Sequence, residues 1–285
     1  ALDLNHHTNQ QNKFWKSLPT KVAPISQKVF KKINTEDFDV IISCGRKSII
    51  PSIYLKKNSS KKITNIHIQD PKVNLSNFDY IIAPEHDGLN GKNVFLTKGA
   101  IHYLTKKEIN KNNDYLKNRL ESNKEYFLLV LGGPTKHYHY SDENILNIFD
   151  LFNDLVKKNN LQGIVIPSMR TPKNIISLSK NKLGSNSLII ENVDKKAYLS
   201  ALSLAKYIAI TCDSTSMVSE AALTGKPIYV ADIPTKKNDY RIKKFKELFT
   251  KLNIIKKLDN KLETWHYEIL DETSRIASVI KKKLT

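Results

Sequence analysis

Apolar residues form two kinds of pattern that alternate along the chain. Short, nearly continuous apolar runs are typical of parallel strands covered on both faces, whereas apolar residues spaced three or four apart indicate helices with one buried face. The runs predict strands at 38–43, 63–68, 80–83, 94–97, 126–131, 163–167, 188–190, 207–211 and 227–230. The spaced stretches predict helices at 141–158, 194–205 and 216–223. This alternation predicts an α/β protein with doubly wound parallel sheets.

A strongly polar interval at 106–124 separates the first four predicted strands from the rest. A new strand–turn–helix series starts at Tyr126, so we expect one domain over 1–115 and a second over 116–263. The remaining segment, 264–285, predicts a loop followed by an amphipathic helix that packs on the protein. One continuous large sheet is the alternative that this pattern leaves open.

The number and distribution of charged residues indicate which kinds of anionic partner the protein can bind. The 285 residues include 46 basic and 28 acidic side chains and carry a formal net charge of +18, but only five of the basic residues are Arg. Lys spread along the chain, together with abundant Asn, is typical of an A/T-rich coding bias. It argues against a nucleic-acid surface, which concentrates Arg and aromatic residues. A weak attraction to anionic membranes fits better, at about 1 kcal/mol for each basic residue near the bilayer.

The two cysteines, Cys44 and Cys212, lie in apolar, strand-like runs, which excludes a disulfide scaffold and fits a reducing compartment. No window approaches 18 uninterrupted apolar residues. We therefore expect a cytoplasmic protein, with peripheral attachment to the inner membrane as an alternative.

The strongest local motif is the hydroxyl-rich turn Asp213–Ser216, between a predicted strand and a predicted helix. Free backbone N–H groups and the positive end of the helix dipole attract an anion there, and hydroxyls add donors, so the turn suits phosphate. Glu220, one helical turn past Ser216, can reach a ribose diol. The alternative is an ordinary helix cap by Asp213 or Ser214, with Glu220 in solvent.

Two further turns follow strands in the same half of the chain. Gly132 and Gly133 precede Pro134 and Thr135, and paired glycines allow a ligand to approach the backbone, although Gly-Gly-Pro is also a common turn. Arg170 lies in the next such turn. An Arg in a chain that otherwise uses Lys indicates bidentate recognition of phosphate or carboxylate, with a surface Arg as the alternative. Open α/β sheets bind ligands at the carboxyl ends of their strands.

The first half carries three comparable turns. Gly45 and Arg46 follow the first predicted strand, Asp70 follows the second, and His86 with Asp87 follows the third, so these turns can line one edge of a cleft. A neighbouring carboxylate can orient the His86 imidazole as a general base, and the alternative is a turn residue without a role in proton transfer. Asp70 can equally be a turn-former.

Signatures of several other classes are absent from the sequence. There is no Walker motif, no GxGxxG after a strand, no zinc-type Cys/His spacing and no GxSxG elbow around Ser214. His137 and His139 have no carboxylate or Cys partner close by in sequence. We therefore expect no metal and no bound cofactor.

Eight segments, in order along nearly the whole chain, carry a family resemblance. They are IISCGRKSIIP, HIQDPK, FDYIIAPEHDGLNGKNV, TKGAIHYLT, LLVLGGPTKHY, PSMRTP, TCDSTSMVSEAALTGKPIYV and WHYEILDETSRIA. Together they resemble the mitochondrial-fission, elongated-mitochondria-like family, whose bacterial members are regarded as glycosyltransferase-like proteins of the GT-B type. Family members begin with a further strand and Gly-containing turn before the region 2–18, so the resemblance implies an N-terminally truncated chain.

The resemblance also implies a fold and a set of roles. The fold is GT-B-like, with two Rossmann-like domains facing a cleft and the 264–285 helix packing back towards the first domain. The Asp213 turn is similar to the donor segment of the peptidoglycan N-acetylglucosaminyl transferase and the sugar-nucleotide 2-epimerases. The implied donor-site residues are Gly132, Gly133, Thr135, Ser168, Ser214, Thr215, Ser216 and Glu220. The implied catalytic residues are His86, Asp87 and Arg170, and the implied acceptor-side residues are Gly45, Arg46 and Asp70.

The function implied by this likeness is a metal-independent glycosyltransferase, since no Asp-x-Asp motif occurs in the relevant loops. It would move a sugar from a nucleoside-diphosphate sugar to an envelope lipid or saccharide. The alternatives are a non-catalytic adaptor, because plant relatives are associated with recruiting a fission dynamin, and a sugar-nucleotide epimerase.

Overall fold

The computed structural model describes residues 38–237 and 239–284. The strands are β1 (Val40–Cys44), β2 (Thr64–Ile68), β3 (Tyr80–Pro84), β4 (Val94–Thr97), β5 (Tyr126–Leu131), β6 (Gln162–Pro167), β7 (Ser187–Ile189), β8 (Tyr207–Thr211), β9 (Ile228–Ala231) and β10 (Ile255–Lys257). The α-helices are α1 (Ile49–Lys57), α2 (Lys106–Lys111), α3 (Asp142–Lys158), α4 (Lys173–Leu183), α5 (Lys195–Leu204), α6 (Thr215–Ala221), α7 (Tyr240–Lys251) and α8 (Glu272–Leu284). The region 2–18, ahead of which the sequence implies a missing strand, lies outside the described residues.

The chain divides into two compact units, each with its own parallel sheet. The first unit comprises 1–98 and 276–285, and its sheet has the strand order β1-β2-β3-β4. Helix α1 is buried on almost every side and packs against Phe78 and the β3 residues Ile81 and Ala83. The expectation of two separate parallel α/β units is confirmed, and the alternative of one continuous sheet is wrong.

The second unit, 99–275, holds a six-stranded parallel sheet in the order β10-β9-β8-β5-β6-β7. Strand β5 lies in the middle, and every residue of 127–131 is at most 1% exposed. Because the chain runs outward from β5 in both directions, strand order reverses between β5 and β8, as in a Rossmann sheet. The predicted helix over 141–158 is confirmed as α3, which Ser141 caps by accepting from the Asn144 N–H at 3.4 Å.

The unit boundary falls between Lys98 and Gly99, upstream of the boundary that the polar interval predicts at 115. The apolar residues Leu104, Ile109 and Leu116 inside or beside that interval are at most 2% exposed and belong to the core of the second unit. The Leu116 N–H also donates to Ser200 Oγ at 3.1 Å. The polar side chains of 106–124 therefore belong to the surface of the second unit and do not form a linker between the units.

Two findings bear on the compartment and on the membrane. Cys44 and Cys212 are both free thiols. Among the residues that the structure describes, no helix combines the length and the apolar character needed to cross a bilayer.

Polar side chains lie in the interior of the first unit. Ser43, Asn65 and His67 are each at most 2% exposed, and Ser43 Oγ lies 2.8 Å from His67 Nδ1. Within the described part of the chain, the side-chain amide of Asn65 and the Nε2 atom of His67 have no hydrogen-bond partner. Burial lowers the pKa of His67 to about 4, against a smaller opposing effect of the Asp70 carboxylate. The imidazole is therefore neutral in the folded protein near pH 7.

Because the unfolded chain takes up a proton on His67 near pH 6.5 and the folded protein does not, we expect the free energy of unfolding to fall as the pH drops from 6.5 to 4. The shift corresponds to about 3 kcal/mol over this window. Urea unfolding at a series of pH values should show a shallower slope for His67→Gln than for the wild type. The exposed His266 offers a control, since His266→Gln should keep the wild-type slope; equal slopes for wild type and His67→Gln would contradict the assignment.

Candidate functional site

Three loops converge where the strands β5, β6 and β8 end, at the carboxyl edge of the second sheet. The loop after β5 is joined to β8, because the Gly132 N–H donates to Thr211 Oγ1 at 2.8 Å. The loop after β6 is joined to β5, because the Ser168 N–H donates to the Leu131 carbonyl at 3.0 Å. This edge includes the point between β5 and β8 where strand order reverses, which is the place where open α/β sheets bind ligands.

The carboxylate of Asp213 connects these loops. Its side chain is 0% exposed and accepts three hydrogen bonds. The Gly133 N–H donates at 3.0 Å, Thr211 Oγ1 at 2.7 Å and Arg170 Nη2 at 2.7 Å. A buried carboxylate needs an opposite charge and well-placed donors to offset its desolvation, and here it has both.

Gly132 and Gly133 are glycines because protein atoms fill the space that a side chain would need. A Cβ at Gly132 would lie 2.1 Å from the Asp213 carboxylate, and a Cβ at Gly133 would lie 2.1 Å from the Arg170 carbonyl oxygen. Their N–H groups are also engaged, with Thr211 and Asp213. The sequence predicts that a ligand approaches this backbone, whereas in the structure the close approach is made by the neighbouring loops.

Arg170 is held in place by hydrogen bonds, although its side chain is 43% exposed to solvent. Besides the contact with Asp213, its Nη1 donates to the Gly133 carbonyl at 3.3 Å. Thr171 Oγ1 lies 2.6 Å from the Gly132 carbonyl and 2.9 Å from the Leu131 carbonyl, which closes the same loop. The guanidinium is therefore fixed in direction, and its charge is already balanced by one carboxylate.

Helix α6 begins directly after this cluster, and Ser214 caps it by accepting from the Met217 N–H at 3.4 Å. Of the two capping residues that the sequence leaves open, Ser214 has that role and Asp213 does not. Thr215 is half-buried and Ser216 is exposed. The predicted hydroxyl-rich turn thus lies beside the Arg170–Asp213 pair, at the positive end of a short helix.

Glu220 lies further along α6 and is half-buried rather than solvated. Its Oε2 accepts from the Tyr198 hydroxyl at 2.8 Å. Burial raises the pKa of Glu220, while the Tyr198 hydrogen bond and the charge of His102 oppose the rise. The alternative of a fully solvated Glu220 is therefore not what the structure shows.

Thr135 and Ser168 make local contacts at this edge. Thr135 Oγ1 accepts from the His137 N–H at 3.2 Å, and Ser168 Oγ accepts from the Arg170 N–H at 3.3 Å. Both residues are half-buried. They shape the loops that carry Arg170 and the glycines.

The turns of the first unit follow β1, β2 and β3, at one edge of its sheet. Gly45 has φ 79° and lies in open space, beside the exposed Arg46. Asp70 accepts from the Lys72 N–H at 2.8 Å, so it does form a turn, and its carboxylate pairs with the Lys72 ammonium.

His86 and Asp87 lie in a short 3-10 helix that follows β3. His86 Nε2 lies 3.7 Å from Asp87 Oδ1, which is longer than a hydrogen bond, and the two side chains are only 5% and 3% exposed. The expected base is therefore an interior group in this structure.

Sequence reasoning missed the contacts between residues that are distant in sequence. It did not predict that the Asp213 carboxylate joins the loops, nor the hydrogen bonds that Thr171, Thr211 and Tyr198 make. The available signal is positional, since each of the first three lies at or just past the carboxyl end of a central strand. No cluster of three or more His, Cys, Asp or Glu side chains that could hold a metal ion occurs in 38–237 and 239–284.

Comparison with known proteins agrees with the sequence resemblance. The family model described as Mitochondrial fission ELM1 matches residues 1–284. An uncharacterized protein of Rickettsia prowazekii is 27% identical, over 85% of this chain and 79% of its own length. The Mitochondrial fission protein ELM1 of Arabidopsis thaliana is 23% identical, over 86% of this chain and 64% of its own length, so this chain spans less than two thirds of the plant protein.

Solved structures agree with the fold. UDP-GlcNAc 2-epimerase from Neisseria meningitidis bound to UDP-GlcNAc has a TM-score of 0.50 and 18% identity, with 87% of this chain and 78% of that chain covered. UDP-N-acetylglucosamine 2-epimerase from Rickettsia bellii has the same TM-score and identity, with 87% and 73% covered. The two parallel-sheet α/β units expected for a GT-B-like fold are confirmed.

The three donors around Asp213 lose their common acceptor in Asp213→Ala, so we expect the free energy of unfolding to fall by about 3 kcal/mol, as when one partner of a buried ion pair is removed. Asp232 offers a matched control, because its carboxylate also pairs with a basic side chain, Lys246, but is 38% exposed. Asp232→Ala should cost less than about 1 kcal/mol. Urea denaturation of both variants tests the difference, and equal losses would show that Asp213 does not connect the loops.

Proposed function

We propose that this chain, which belongs to the mitochondrial fission ELM1 family, binds a nucleoside-diphosphate sugar at the carboxyl edge of its second sheet and transfers the sugar without a metal ion. The observation that carries the proposal is the convergence of the loops after β5, β6 and β8 on Asp213, directly beside the hydroxyl-rich start of α6. Fixed loops at the strand-order reversal of a Rossmann sheet are the usual setting for a nucleotide.

The diphosphate in this proposal lies against Ser214, Thr215 and Ser216. Backbone N–H groups at the start of α6 and the side-chain hydroxyls supply donors. Arg170, held by Asp213, faces the leaving diphosphate as a fixed cation, and such preorganised charge stabilises a departing anion without reorganisation. Glu220 accepts from the ribose hydroxyls. Ser168, Thr135 and the two glycines support the loops rather than contribute free N–H groups.

The acceptor side is assigned to the first unit, with His86 or Asp87 as the base and Gly45, Arg46 and Asp70 near the acceptor. Because the His86 and Asp87 side chains are almost fully buried, proton transfer to them requires the 85–88 turn to open. The proposed acceptor is a cell-envelope lipid or saccharide. The net charge of +18 is carried mainly by dispersed lysines, with only five arginines, and this distribution favours work near an anionic membrane surface over work on nucleic acid.

A second candidate is a non-catalytic adaptor, which is favoured by the similarity to the mitochondrial fission protein of Arabidopsis. An epimerase is a third, and its support is the fold alone. Incubation with a radiolabelled UDP-sugar and membrane extract separates them, since transfer moves label to the acceptor, epimerisation leaves it on the nucleotide in a new sugar, and an adaptor leaves the substrate unchanged.

Removal of the side chains proposed to contact the nucleotide should abolish nucleotide binding while the fold stays intact. We expect UDP to raise the thermal unfolding temperature of the wild type and to leave the double variant Ser216→Ala/Glu220→Ala unchanged. The double variant Ser185→Ala/Glu191→Ala changes exposed residues of the same two types in the same unit and should keep the wild-type shift. Equal shifts in all three proteins would remove the proposed donor site, and the absence of a shift with UDP, GDP, CMP or their sugars in the wild type would count against the transferase.

A further inference from the structure

Glu220 lies on the outward face of α6. It lies four positions after the exposed Ser216, so the two side chains lie on one side of the helix, one above the other. Val218 and Ala221 are buried on the other side. Glu220 is therefore a carboxylate on the face that also presents a hydroxyl of the proposed phosphate site.

Tyr198 holds one oxygen of this carboxylate. It lies on α5 and its hydroxyl donates to Glu220 Oε2 at 2.8 Å. Burial raises the pKa of Tyr198 well above its ordinary value, with the Glu220 charge adding to the rise. The hydroxyl therefore keeps its proton and is a permanent donor to Glu220.

A third element approaches the same carboxylate. His102 is close enough for its charge to act on Glu220, and its backbone is fixed by Thr273, whose Oγ1 accepts from the His102 N–H at 3.2 Å and donates to the His102 carbonyl at 2.8 Å. Within the described residues, His102 Nδ1 is buried and has no hydrogen-bond partner. The surroundings of Glu220 thus contain an oriented carboxylate and an imidazole whose backbone is held in place.

We propose that Tyr198 is a positioning residue that fixes Glu220 so that the carboxylate accepts from the 2′,3′-diol of a ribonucleotide and selects it over a 2′-deoxyribonucleotide. The inference rests on the proposed function, since it concerns the sugar moiety of the same ligand. A carboxylate held through one oxygen cannot rotate freely, so its remaining acceptor positions keep one direction. A site built to accept from a hydroxyl discriminates against the analogue that lacks it, because a buried polar group is then left unpaired.

Isothermal titration of the intact protein with UDP and with 2′-deoxy-UDP tests the inference. We expect the wild type to bind UDP about tenfold more tightly than the deoxy analogue. In Tyr198→Phe both nucleotides still bind through the phosphates, but the ratio of the two dissociation constants should fall towards one. Tyr207→Phe is the control, since Tyr207 also shares a hydrogen bond through its hydroxyl, with Thr264 at 3.2 Å, and lies in the same unit. It should keep the wild-type ratio.

The outcomes separate the two proposals. If the wild type binds neither nucleotide, the proposed function fails and the inference fails with it. If it binds both equally, nucleotide binding stands and selection through the diol is overturned. If Tyr198→Phe keeps the wild-type preference, Tyr198 has no positioning role. Should Tyr198→Phe not fold, Glu220→Leu with Tyr198 intact, which has no hydrogen-bond acceptor, must lose the preference, and its retention would overturn the inference.

Discussion

The buried carboxylate of Asp213 is the constraint on which the carboxyl edge of the second sheet depends. A charge removed from water is costly unless donors and an opposite charge surround it, and Asp213 obtains these from the loops after β5 and β6 and from the last residue of β8. The loops are therefore not independent connections between strands and helices. Gly132 and Gly133 are restricted by this packing, Arg170 is aimed by it, and α6 begins at a fixed place because its capping serine directly follows the carboxylate.

Much of the fold is predictable because its causes are local in sequence. Parallel strands buried on both faces must be nearly continuous in apolar residues, and β5 and β8 are recognised on that basis. Helix α3 combines a capping Ser141 with apolar residues on one face. Helix α1 gives no such signal, because it is buried on almost every side and lacks a polar face that would reveal its period. Leu116 and its neighbours likewise show that a polar interval is not by itself a linker.

The sequence predicts where the candidate site lies, but it does not predict the hydrogen bonds and ion pairs within it. Turns after strand ends point to the edge at which Asp213 joins the loops, and the sequence alone places Ser214, Arg170 and the glycines there. The contact between Arg170 and Asp213 joins residues 43 positions apart, and nothing in either local sequence encodes it. Tyr198 and Glu220 are likewise 22 positions apart on different helices. Such pairs depend on how the loops and helices pack, which the pattern of apolar residues does not specify.

The pairing of Arg170 with Asp213 also bears on how this basic protein responds to ionic strength. The guanidinium at the sheet edge is already paired with a carboxylate, so the proposed diphosphate site acts through directed, short-range contacts from Arg170 and from the N–H and O–H groups at the start of α6 more than through net charge. Mobile ions screen long-range attraction between net charges far more than they weaken direct hydrogen bonds. Binding of a diphosphate at the proposed site should therefore tolerate salt better than non-specific attraction through the surface lysines does.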